Sequence, residues 1–152
     1  MLQERALRCL EPGLSVLIGT AGACGTPVSC RGIAIRTNDD LATITVYVPV
    51  ATSHETIQNL ATTRRLAVGV THPRDNFSTQ FKGTMLETRV ARDEEAAFVR
   101  ERLDAFADVL DHVGIPRRIT RSLACWPAFA VTMRVEQTFD QTPGPRAGNV
   151  VP

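Results

Sequence analysis

The segment LATITVYVPV, residues 41–50, constrains the fold more than any other stretch of this chain. Ile44, Val46, Val48 and Val50 alternate with Thr43, Thr45, Tyr47 and Pro49, the period of two expected of a strand with one buried face. Pro49 offers no N–H to a ladder, so pairing should end there or run along an edge. Directly after it, Thr52-Ser53-His54-Glu55 matches the capping box S/T-x-x-E that opens a helix. A strand therefore runs straight into a helix start here.

Five other runs read as strands: LSVLIGT, VSCRGIAIR, LAVGVTHP, FSTQFKGTMLETRV and FAVTMRVEQTF. Turn-rich AGACGTP, TNDD and HPRDN punctuate them, and Gly83 marks a bulge or a close backbone approach inside the fifth strand in chain order. Residues 2–10 form a short amphipathic helix stopped by Pro12-Gly13. RDEEAAFVRERLDAFADVL is the strongest helix, with Asp93 as cap, Glu94 and Glu95 at its positive end, and Val99, Leu103, Phe106 and Leu110 as one stripe. A shorter helix follows near residues 117–124. Six strands without βαβ alternation predict a mainly β protein, a six-stranded antiparallel barrel with peripheral helices. Residues 1–152 are expected to form one domain, with 141–152 an irregular proline-rich tail.

Composition narrows the partners. With 17 basic and 16 acidic residues, the net charge of +1 gives no support for nucleic-acid or membrane-surface binding. The N-terminal run lacks the apolar core of a secretory signal, and no segment approaches a membrane span of ~20 apolar residues. Cys9, Cys24, Cys30 and Cys125 form no metal-ligand spacing and read as free, mostly buried thiols of a cytoplasmic protein. Three scattered histidines make no metal signature, and no side chain is a compelling acid or base, so neither a metal site nor a catalytic residue is assigned. His72 reads as a turn residue, His112 as a helix-end contact and Trp126 as a packing residue.

The polar residues suggest an anion site instead. A helix start at Ser53 offers free N–H groups to a phosphate, with the Ser53 hydroxyl and His54 beside it. The dipole supplies only about 0.3–1 kcal/mol, so arginines must join it. Arg31 and Arg36 are candidates, although five residues on an unbroken strand separate them onto opposite faces; a bulge at Gly32 changes that.

The order of these stretches resembles the pyridoxamine 5′-phosphate oxidase-like family of FMN-binding split β-barrels. The resemblance rests on CRGIAIR, on YVPVATSHETIQNLATTRRLAVGV and on FSTQFKG, and covers most of the chain. It implies a Greek-key split barrel, usually a homodimer with FMN at the interface. Arg31, Gly32 and Arg36 then fall on the first cofactor-binding strand, Val46 and Tyr47 border the flavin, and Ser53 and His54 stand at the phosphate. Ser78, Gln80 and Lys82 lie on the strand that approaches the ring from the partner subunit. Glu55 takes the place of a cation in the family's Ser-Arg-Lys segment. The family's C-terminal tryptophan, arginine and histidine pattern has no counterpart in FDQTPGPRAGNVVP, so vitamin B6 phosphate is not the expected substrate. The expectation is an FMN-dependent oxidoreductase acting on a small-molecule substrate or electron donor. Alternatives are an F420-dependent reductase on the same barrel, or a flavin- or haem-binding sensing module without turnover.

Overall fold

A computed structural model describes residues 2–37 and 42–151; most of the expected TNDD turn lies outside them. In chain order the elements are α1 (Leu2–Arg8), β1 (Ser15–Ala21), β2 (Pro27–Gly32), β3 (Ala34–Thr37), β4 (Thr43–Pro49), α2 (His54–Thr63), β5 (Arg65–Thr71), β6 (Ser78–Val90), α3 (Ala96–His112), α4 (Arg117–Arg121) and β7 (Ala128–Asp140). Short 3₁₀ turns at Val50–Thr52 and Asp93–Glu95 precede α2 and α3.

The strands form one antiparallel sheet in the order β2-β1-β5-β6-β7-β4-β3. There are seven, against six expected, because VSCRGIAIR is broken at Ile33. Its first half pairs with β1 and its second with β4, so the two ends of the sheet are halves of one stretch and the sheet closes on itself. Gly32 is needed at that crossing: a Cβ there would meet Val16 Cγ1 at 2.8 Å and Val46 Cγ1 at 3.0 Å. The order β5, β1, β2/β3, β4 is a Greek key, the fourth strand returning beside the first.

Val16, Ile18, Ile44, Val46, Val48, Val68, Val70, Val131 and Met133 fill the barrel, each contributing about 1.5–3 kcal/mol by burial. A second cluster lies outside it, where Ala34, Tyr47, Ala128 and Ala130 meet Val99 and Leu103 of α3. The alternation in β4 thus does not mark a half-exposed strand. Its second face is covered by α3, and Tyr47 is 1% exposed. Val50, expected inward, leaves the strand in the 3₁₀ turn and is exposed. Pairing ends at Pro49, as its missing N–H requires.

Gly83 sits at a register shift in the β6–β7 ladder, and a Cβ there would fall 1.9 Å from Arg134 O. On α3, Val99, Leu103 and Phe106 are buried, joined by Ala107 and Val109 rather than Leu110. The tail from Gln141 is mostly irregular but folds back, with Val150 bridging Phe139 and Val151 N–H donating to Thr138 O. Of the four free thiols Cys9 is buried, Cys30 and Cys125 half-buried, and Cys24 exposed.

Candidate functional site

Two of the three resembling stretches lie three strands apart in the sheet, yet register places them on one outer face. Arg31 pairs with Leu17, Leu17 with Gly69, and Gly69 with Gln80, which makes one row across β2-β1-β5-β6. The neighbouring row runs Ser29, Gly19, Ala67, Lys82. At ~4.8 Å per strand, each row spans about 14 Å. In the Arg31–Gln80 row an exposed Leu17 stands beside Gly69, while the Ser29–Lys82 row has only Gly19 and Ala67 between its polar ends. A groove of about 570 Å³ opens over it, with Gly19, Ala21, Ser29 and Ala67 in its lining and Arg65 and Lys82 on the β5–β6 side.

The two cations of the groove differ. Arg65 donates to Glu136 Oε2 at 2.8 Å and Thr84 Oγ1 at 2.9 Å. Lys82 is exposed, lies 4.7 Å from the Phe139 ring, and meets no carboxylate among the described residues. Ser78 is turned inward, bonded to Asn76 O and Thr71 Oγ1. Gln80 Oε1 accepts from Gln141 at 3.5 Å.

A second cleft of about 260 Å³ adjoins the groove, with Ser29 in the lining of both. Cys30, Arg31 and Ile33 of the broken strand form one wall, Pro49 and Thr52 another, and Leu123 and Ala124 after α4 a third. The α2 start is thereby brought to Arg31. Arg31 donates to Ser15 Oγ at 3.2 Å and lies over the Phe106 ring at 5.5 Å; it pairs with no carboxylate among the described residues.

The helix start is built otherwise than its capping box predicts. Ser53, not Thr52, is the N-cap, and no side chain caps the helix. The Ser53 hydroxyl is fully buried and donates back to Pro49 O at 2.7 Å. The 3₁₀ turn through Val50–Thr52 shifts the helix onset by one residue, which removes Thr52 from capping position. His54 and Glu55 are exposed. In the first turn Thr56 is 1% exposed, and its buried hydroxyl has the Cys30 thiol as its polar neighbour among the described residues. Burial pushes the neighbouring Cys30 thiol up, a shift the Thr56 hydroxyl opposes. Thr56 was not singled out in the sequence; its place in the first helical turn, three residues after Ser53, was the available signal.

Arg36 is not brought to this cleft. The break at Ile33 turns both arginines toward α3, as a bulge would. Arg36, however, stacks on Phe98 at 3.9 Å while Arg31 meets Phe106. Eight helical residues separate the two rings by ~12 Å, too far for both guanidiniums, as they lie, to hold one phosphate group. Val46 is wholly inside the barrel and offers only backbone to the outside. Tyr47 donates to Glu95 Oε1 at 2.7 Å. Glu95 also receives Arg89 through two bonds, at 2.7 and 2.8 Å, and Arg92 N–H at 2.7 Å. Those donors, Arg89 above all, hold the Glu95 carboxyl down at about 2, while burial and then Glu95 push Tyr47 up to about 12. The expected Asp93 cap of α3 is not formed, because Asp93 lies in the 3₁₀ turn and Glu95 satisfies the backbone there. Among the described residues no group of three or more His, Cys, Asp or Glu could hold a metal ion, and no helix is long and apolar enough to cross a membrane.

No protein-family model matches the sequence, and no curated protein matches it. Solved structures do match. HupZ of Group A Streptococcus aligns over 97% of this chain and 100% of its own, at 16% identity and a TM-score of 0.58. An F420 reductase aligns over 86% of this chain and 93% of its own, at 14% identity and a TM-score of 0.55. A candidate pyridoxamine 5′-phosphate oxidase from Lactobacillus delbrueckii aligns over 90% and 91%, at 15% identity and 0.55. Proteins of the same shape also include an FMN-binding protein from Syntrophomonas wolfei (11% identity, TM-score 0.52) and HutZ, a haem storage protein from Vibrio cholerae (13%, 0.50). This chain has the split β-barrel fold shared by the pyridoxamine 5′-phosphate oxidase-like and FMN-binding proteins.

Proposed function

We propose that the protein binds FMN across the two adjoining clefts and acts as a flavin-dependent oxidoreductase on a small-molecule substrate. One observation carries this reading: Arg31, which meets no carboxylate among the described residues, and Thr52 before the uncapped helix start share a cleft that opens, at Ser29, into a groove ended by Lys82. The residues fit the group. Arg31, the Thr52 hydroxyl and the N–H groups at the start of α2 would hold the phosphate, and each charge-assisted bond contributes about 1.5–3 kcal/mol. The rows through Gly19, Ala67 and Gly69 would lie along the ring, leaving Lys82 and Gln80 to hydrogen-bond its edge.

When bound, the flavin supplies the hydride or electron chemistry. This chain's part is to orient the ring, exclude water from one face and present the Lys82 ammonium to charge on the ring. The exposed face suits a homodimer in which a second barrel covers the other side of the groove; Gln80 and Lys82 then serve that interface, and Ser78, held inside by Asn76 and Thr71, does not.

A haem-binding reading is favoured by one feature, the exposed His54 imidazole next to Thr52, and by the haem storage protein of the same fold. F420 would use the same Arg31 cleft. Purified protein, stripped of any chromophore and titrated separately with FMN, F420 and haemin, distinguishes the three. FMN bound tightest, with affinity lost in both Arg31→Gln and Lys82→Gln, supports the proposal; haemin bound tightest, with affinity lost in His54→Ala, replaces it.

A further inference from the structure

Arg65, on the β5–β6 side of the groove, is restrained through one nitrogen only. Its Nη1 donates to Thr84 Oγ1 at 2.9 Å and to Glu136 Oε2 at 2.8 Å. Thr84 in turn donates to Glu136 Oε1 at 2.6 Å, so three hydrogen bonds close a triangle that holds the guanidinium in place. The other two guanidinium nitrogens, Nε and Nη2, meet no acceptor among the described residues. The side chain is 60% exposed where it lines the groove. Nε and Nη2 form the side-on edge of the guanidinium, whose two parallel N–H bonds grip both oxygens of a carboxylate.

The charge around Arg65 favours an anion. Arg65 faces Thr84 and Lys82 faces Ala67, which sets the two cations diagonally across the strands at ~7–8 Å. Arg134, opposite Thr84 on its other side, stands 3.6 Å from Glu136. Arg65, Lys82 and Arg134 thus share one carboxylate, and a second anion between Arg65 and Lys82 offsets their repulsion.

On the proposed placement of the flavin, on which this rests, we infer that the patch takes the carboxylate of the substrate, a small organic acid. Arg65 grips it in a fork, and Lys82 adds charge from the edge of the ring. Arg65 is two residues, ~7 Å, from Ala67 in the floor assigned to the ring. Arg31, assigned to the phosphate, lies two strands across and four residues along, ~16 Å away. Phosphate and carboxylate therefore have separate cations, and a carboxylate at Arg65 brings the rest of its molecule beside the ring. Ala21 and Pro27, paired across β1 and β2 and lining the same groove, offer apolar surface to its carbon skeleton.

Benzoate and its neutral counterpart benzamide test this on the purified protein. The Arg65 side-chain Nε–H resonance, recognised by its absence in Arg65→Gln, should shift with benzoate. Affinities follow from backbone amide shifts along the groove. Benzamide should bind at least ~10-fold more weakly than benzoate, and Arg65→Gln should weaken benzoate by a similar factor. In FMN-loaded protein, benzoate should also perturb the flavin absorption band. If Arg65→Gln folds poorly, Arg65→Lys keeps the charge without the fork and should still bind benzoate more weakly; unchanged affinity overturns the assignment. So does an Arg65 resonance that benzoate leaves in place, or benzamide bound as tightly as benzoate. Benzoate that shifts Arg65 in FMN-loaded protein without touching the flavin band overturns the placement beside the ring. Inorganic phosphate that displaces benzoate at lower concentration makes the ligand a phosphate and overturns the acid. Failure of FMN to bind while benzoate still shifts Arg65 removes the flavin assignment alone and supports the carboxylate site.

Discussion

The two principal helices begin in opposite ways. Before α3, the Glu95 carboxylate is used on every side, by Arg89, Tyr47 and the Arg92 N–H. Before α2, no side chain caps the helix, and Ser53 is turned away from it. One start is closed and fastens α3 to β6 through Arg89 and to β4 through Tyr47. The other leaves donors unused beside a cleft and an arginine that meets no carboxylate among the described residues. Unused polar groups cost stability, and a ligand that satisfies them recovers that cost on binding.

The comparison is broken most strongly by Glu95→Ala. Removing the acceptor leaves Arg89 and the buried Tyr47 hydroxyl without their partner, and about 1–3 kcal/mol of stability should be lost, read as a lower midpoint in denaturant unfolding. The same group sets an acid limit. Its folded pKa of about 2 lies below the ordinary glutamate value of 4.5, so its contribution is complete above pH 4.5 and is lost as pH falls toward 2. Glu95→Gln should flatten stability in that window alone. At the alkaline end the sign is reversed. Tyr47 is raised from 10.0 to about 12, so stability present below pH 10 declines as pH rises through 12, and Tyr47→Phe abolishes that decline.

At the α2 start the expected effects are smaller. Ser53→Ala removes one buried hydrogen bond and should cost about 1 kcal/mol. Thr56→Val replaces a hydroxyl whose polar neighbour is the Cys30 thiol by a methyl group of similar size. The free protein should be unchanged or slightly more stable in thermal unfolding, by up to about 1 kcal/mol. A loss of stability in the free protein would mean that the hydroxyl already serves the fold.

Much of the barrel was legible in the sequence because periodicity and turn chemistry report local geometry. Gly83, Pro49 and the first three residues of the α3 stripe fall where their residue types require, while Val109 rather than Leu110 completes the buried face. The break at Ile33 was not legible as such: a strand shared by two neighbours reads like one strand, and only the crowding of Val16 and Val46 on Gly32 explains where it divides. The capping box at Thr52-Glu55 failed for a related reason, since a 3₁₀ turn displaced the onset by one residue. For the site, sequence placed Arg31, Gln80 and Lys82 on candidate strands, but their common face depends on a register running through β1 and β5. That register is set by long-range pairing, which no local motif carries. Arg36, five residues from Arg31, lies against the same helix yet some 12 Å along it.

The central claim is that the Arg31 cleft and the α2 start hold a phosphate. Titration of the stripped protein with FMN and with riboflavin, which lacks only the phosphate, tests it most directly. The account predicts that FMN binds ~10- to 100-fold more tightly, equivalent to about 1.5–3 kcal/mol, and that Arg31→Gln removes most of the difference while leaving riboflavin affinity nearly unchanged. Equal affinity for the two ligands, or an Arg31→Gln variant that weakens both alike, would contradict it.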